Sequence, residues 1–155
     1  HARTEMDVLK ELAEDEAAYR SLTLSWFEHS ALREMLGRMA DQGARVIITT
    51  DHGTVRVNNP IRVKGERSTN SNLRYKVGRN LGYSKGDVFE VREPESVGLP
   101  RPQVSSAYIF AREDDFLVYP NNYNHFAQNF SETFQHGGIS LEEVIIPWVE
   151  LEPNS

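Results

Sequence analysis

At 155 residues, with a net charge of -6, 39% hydrophobic and 26% charged residues, the chain has the size and balance of one soluble globular domain. No apolar run is long enough to cross a bilayer, and without cysteine neither a disulfide framework nor a thiolate metal site is available, so any metal falls to His, Asp or Glu. The chain opens on His1 rather than Met and shows no signal-peptide pattern, so residues 1–155 read as one piece of a longer protein.

Thr4 followed by Asp7 marks a helix start, and Met6, Leu9, Leu12 and Ala13 keep helical spacing, which predicts a first helix from Glu5 to Tyr19. A second is expected from Glu28 to Gln42, where Leu32, Met35, Leu36 and Met39 share a face and Gly43 supplies the left-handed stop. Arg45-Val-Ile-Ile-Thr-Thr50 is then a β-branched, continuously apolar run, the pattern of a strand buried on both faces of a parallel sheet. Helix followed by buried strand implies an α/β layer architecture.

The next stretch changes sign: residues 54 to 86 hold one carboxylate, Glu66, against eight basic side chains. Such a segment in an acidic chain favours an anionic ligand, although a solvated basic loop has the same composition. Thr54–Val57 and Ile61–Val63 alternate around Asn58-Asn59-Pro60 and predict a hairpin outside the main sheet. Ser68 to Ser71 reads as loop, Leu73 to Val77 as strand, and the Gly- and Pro-punctuated run from Gly78 to Pro102 as irregular. Ser105–Phe110 and Phe116–Tyr119 flank turn residues and predict a second hairpin. Ser140 caps a helical turn before Val144–Leu151 returns extended, with Pro147 arguing against a central strand.

In Thr50-Asp51-His52-Gly53 a carboxylate and an imidazole stand where the apolar strand ends, the position at which open α/β sheets bind ligands, and both are suitable zinc or manganese ligands. Alone, the pair is better explained as a turn cap beside a surface histidine. A second cluster, Phe134-Gln-His136-Gly137-Gly138-Ile139-Ser140-Leu-Glu-Glu143, sets a histidine before two glycines and a capped turn. Taken together the two motifs resemble the late motifs of the alkaline phosphatase superfamily. With Phe134-Gln135-His136 and Leu73-Arg74-Tyr75-Lys76 they resemble its PglZ branch in particular, over most of the chain from Val46 to Pro147.

That resemblance implies a partial alkaline-phosphatase-like sheet flanked by helices, with an inserted basic segment rich in hairpins, and incomplete without an amino-terminal half. It implies two zinc ions in the parent protein, partial or absent here, with Asp51 and His52 on one and His136 on the other. His1 would be the remnant of an upstream Asp-x-x-x-His motif, or an accidental terminal residue. The catalytic Thr or Ser is expected from a further upstream motif, so neither Thr49 nor Thr50 is assigned that role and the piece alone should not turn over. Phosphate oxygens would be met by Arg74, and less certainly by Arg56, Arg67 or Lys76, because guanidinium forks suit bidentate contact. His125 is a further substrate candidate, although a loop hydrogen bond explains it better; His29 is assigned to packing or surface, and Trp26 and Trp148 to packing.

The implied function is a cytoplasmic phosphodiesterase or phosphatase effector domain of a response regulator, with a link to type IX secretion. Its substrate would be a phosphodiester such as a nucleotide or oligonucleotide, and its partners signalling or secretion proteins. The alternative is a regulatory binding or scaffold module that docks anionic or protein partners without catalysis. An unfinished sheet also predicts a homodimer through edge pairing or element swapping.

Overall fold

Helices begin where a side-chain oxygen takes over a backbone donor. Asp15 does this for Ala18 at 2.7 Å and starts α1 (Glu16–Glu28), and Ser30 does it for Arg33 and starts α2 (Ala31–Asp41). The computed structural model describes residue 13 and residues 15–66 and 69–153. Most of the expected first helix therefore lies outside the described residues. The helix that is described runs past Tyr19 to Glu28, through a stretch that has neither glycine nor proline to stop it. The second helix ends as expected, with Gly43 at φ +70° just beyond it.

The chain divides into two units, residues 1–51 with 146–155, and residues 52–145. In the first, β1 (Val46–Thr49) pairs antiparallel with β9 (Trp148–Leu151), Val46 opposite Leu151. The expectation of a parallel strand buried on both faces is corrected here: the partner is antiparallel, and Ile47 and Ile48 remain 49% and 36% exposed. Pro147 falls just before β9, where its missing N–H costs no ladder bond. Neither α1 nor α2 has a buried residue.

The second unit holds β2 (Val55–Val57), β3 (Asn59–Arg62), β4 (Tyr75–Gly78), β5 (Phe89–Val91), a 3-10 turn at Pro94–Val97, β6 (Ala107–Phe110), β7 (Asp115–Val118), α3 (Tyr123–Phe130), β8 (Thr133–Gln135) and the single turn α4 (Leu141–Val144). Neither expected hairpin forms. β2 pairs antiparallel with β8, β3 runs parallel to β7, and β6 lies between β4 and β5. The apolar run in β7 explains the exchange of partners. Leu117 packs with Val63, Val88, Ile109 and Ala111, whereas Phe116 and Val118 pack with Val57 on the other side, so this strand separates two cores. A continuously apolar strand covered on both faces is the arrangement that stabilises parallel pairing. Of the run from Gly78 to Pro102 expected to be irregular, β5 and the 3-10 turn are ordered exceptions. The observed architecture is mixed α/β with small sheets and, among the described residues, four α-helices, consistent with the partial alkaline-phosphatase-like fold expected from the motifs.

Candidate metal centre

The β2–β8 ladder decides which histidines meet. Val55 lies opposite Gln135, so the antiparallel register carries the residues just before β2 and just after β8 to the same end of the ribbon. There the imidazoles of His52 and His136 stack with ring centroids 3.7 Å apart and planes 7° from parallel. His52 Nδ1 is 2.8 Å from the Gly53 carbonyl oxygen. A carbonyl only accepts, so Nδ1 is the donor in this contact.

Glycines make the approach of the two motifs possible. A side chain at Gly53 would run into the Glu142 carbonyl oxygen, and the Gly53 N–H donates to the Glu143 carbonyl at 2.8 Å. Gly137 has φ +102°, a region that L side chains rarely adopt, and the Asn72 amide occupies the space a Cβ would take. Asn72 donates to the His136 carbonyl at 3.3 Å while its own oxygen accepts the amides of Arg74 and Tyr75. The turn that carries His136 is thus tied directly to the entry of β4.

The Glu143 carboxylate fastens the same loop from below. It accepts from the Gly138 amide at 2.8 Å and the Ser140 amide at 3.2 Å, and it receives Arg74 Nε and Nη2, each at 3.0 Å. Arg74 Nη1 donates in turn to the carbonyls of Asp115 and Arg112. Both side chains of this pair are buried, at 0% and 1% exposure. Burial by itself would raise the Glu143 carboxyl, but the Arg74 guanidinium and the Gly138 amide outweigh it and hold the group below the usual glutamate range.

The other sequence candidates separate by environment. Arg74 lies in the interior with its guanidinium engaged by Glu143 and two carbonyls. Lys76 is 1% exposed, with its ammonium over the Tyr119 ring. Arg56 is partly exposed and pairs with Glu132 at 3.7 Å. His125 stands on α3 rather than in a loop, where Asn129 donates to its Nε2 at 2.9 Å. Asp51 is exposed and is the residue immediately before His52. His1 and Arg67 lie outside the described residues. Thr49 Oγ1 donates to the Pro147 carbonyl at 2.7 Å, an engagement that suits a structural hydroxyl.

Glu143 and Asn72 were not singled out for this role from the sequence. The available signal was the position of Glu143 three residues after Ser140, which reads equally as a helix cap. Among the described residues no group of three or more His, Cys, Asp or Glu side chains is arranged to hold a metal ion, so the described geometry is a histidine pair rather than a complete coordination sphere. No described helix is long and apolar enough to cross a membrane.

No curated protein matches the chain. A family model, described as the BREX system PglZ alkaline phosphatase-like domain, matches residues 1–151, and with its two motifs joined at the His52–His136 stack the chain belongs to that family.

Proposed function

We propose that the chain supplies the ligand-bearing half of a two-zinc phosphodiesterase or phosphatase site, with His52 on one ion and His136 on the other. The observation that carries this is the stacked pair. Near-parallel imidazoles with centroids 3.7 Å apart bring one histidine from each motif to the same place, as ligands of two neighbouring metal ions would have to be. The Nδ1–H···O=C bond of His52 is the kind of backbone contact that orients a metal-binding imidazole. Asp51 joins His52 as an adjacent donor by its place in the sequence, and His1 is assigned to the ion of His136 on the motif resemblance alone. When bound, such ions lower the pKa of an attacking hydroxyl and neutralise charge on the phosphoryl oxygens. This chain's own part is to hold the two imidazoles in register and to keep Gly53 and Gly137 open for the close approach.

Arg56 and His125 are the substrate-side candidates that keep access to solvent, and we assign them to phosphate contact. Arg74 supports the loop, and Lys76 is treated separately below. The nucleophilic hydroxyl belongs to a segment outside this chain. In its finer form the reading is a cytoplasmic effector domain similar to the carboxyl-terminal part of the response regulator PorX, which would connect it to type IX secretion and to nucleotide phosphodiesters. What supports that refinement is the pairing of Phe134-Gln135-His136 with Leu73-Arg74-Tyr75-Lys76. The binding-module alternative required free positive charge between residues 54 and 86. Arg56, Arg74 and Arg79 each face a carboxylate, which lowers the positive charge available to such a partner.

The test uses the complete parent protein loaded with zinc. His52→Ala and His136→Ala are each expected to remove about one equivalent of zinc, measured by mass spectrometry, and to lower phosphodiester hydrolysis by at least a hundredfold. Full zinc content and full hydrolysis in both variants would end the enzyme reading.

A further inference from the structure

Among the described residues Lys76 is a buried cation without a carboxylate partner. It sits in the middle of β4 opposite Ile109 and is 1% exposed. Of its three ammonium donors, one meets the Asn70 carbonyl at a long 3.4 Å, and the Tyr119 ring faces the nitrogen at 4.3 Å. Among the described residues no acid takes the charge, and burial pulls the amine down to about 8. At neutral pH it is still mostly protonated, so an uncompensated positive charge remains in the interior.

The same lysine lines a cavity of about 190 Å³ whose other walls are chiefly apolar: Leu73, Leu117, Val118, Phe126 and Phe130, with Tyr119 beside the amine. Tyr119 and Phe126 also border a larger hollow of about 510 Å³ that includes Lys64 and Thr69. An apolar cavity of about 150 Å³ is enough to take a benzene ring. The volume here therefore accommodates one ring with a small anionic head. Phosphate alone would satisfy the amine but leave the apolar walls without a partner, and a neutral ring would do the reverse.

We propose that this cavity is a binding site for a small monocarboxylate with a single-ring or branched apolar body, its carboxylate on Lys76 Nζ and its body against Leu73, Leu117 and Phe130. The site is independent of the histidine pair and stands whether or not the phosphoesterase reading holds.

Benzoate is the probe, titrated into the 155-residue chain by calorimetry, with benzyl alcohol and inorganic phosphate as controls. Saturable binding of one benzoate per chain is expected, with each control at least about tenfold weaker and Lys76→Met losing at least about tenfold in affinity. A ¹³C NMR titration of the Lys76 side chain should show its pKa rise by about one unit or more under saturating benzoate, the shift that corresponds to a tenfold preference for the charged amine. Absence of saturable benzoate binding overturns the proposal. So does benzyl alcohol or phosphate binding as tightly, unchanged affinity in Lys76→Met, or an unmoved Lys76 titration. If Lys76→Met does not fold, the wild-type titration decides the question alone.

Discussion

Arg74 and Glu143 illustrate how a charged residue is assigned its work by its surroundings. A guanidinium in a basic segment reads as a phosphate contact, yet this one is at 0% exposure and binds a carboxylate through two donors. Removing one member of a buried pair leaves the other uncompensated, a loss of about 3–5 kcal/mol. Arg74→Met is expected to destabilise the chain by that amount in chemical denaturation, and Arg74→Met with Glu143→Met to recover part of it. The pair also sets an acid limit. Because folding holds the Glu143 carboxyl low, its contribution is complete above the unfolded value of about 4.3 and is lost as pH falls through the folded value. The urea midpoint should therefore drop below about pH 4, and Glu143→Gln, already weakened at neutral pH, should show a shallower drop; an equal pH dependence in the two proteins would refute the linkage. None of this was legible in the sequence, since residue type reveals charge but not depth. The Asp51-His52-Gly53 and His136-Gly137-Gly138 motifs were legible, because glycine beside a ligand-type residue marks close backbone approach.

For the secondary elements, legibility stops at pairing. The strands containing Val57, Ile61 and Leu117 could be located from β-branched and alternating runs, but a two-residue period gives the faces of a strand and not its neighbour. Ile61 was expected to turn back on Val57. It lies instead parallel to Leu117, more than fifty positions away, because β7 is apolar on both faces and needs cover on both. Leu117→Ala should cost about 2–5 kcal/mol. It should also speed amide exchange at Val63, whose N–H donates to the neighbouring Val118 carbonyl at 3.0 Å. A hairpin between β2 and β3 would leave Val63 unaffected. The opposite error concerns β1: Val46-Ile-Ile has the composition of a covered strand, while the described neighbours leave Ile47 49% exposed. Composition records the burial that a strand is suited to, and the cover for this one is not among the described residues.

At the level of the whole molecule the two units differ in what they bury. The clusters around Leu117 and Phe116 both lie within residues 52–145, whereas α1 and α2 bury no residue and β9 leaves Trp148 68% exposed. Local opening free energy follows buried apolar contact. Hydrogen exchange should accordingly be fastest in α1, α2 and β9 and slowest in β6 and β7, by about a hundredfold or more. Uniform protection across both units would contradict that ranking. Any segment or partner that covers β1 and β9 should slow exchange at Ile47 and Val149 while leaving Leu117 unchanged.

The register of β2 with β8 has a consequence for how such sequences can diverge. Two residues separate His52 from Val55, and none separates Gln135 from His136. A one-residue deletion between His52 and Val55, or an insertion between Gln135 and His136, would pull one imidazole off the other, while lengthening a surface turn among the residues between the two strands leaves the stack in place. Relatives should therefore vary freely in the length of that intervening stretch and hardly at all at those two junctions.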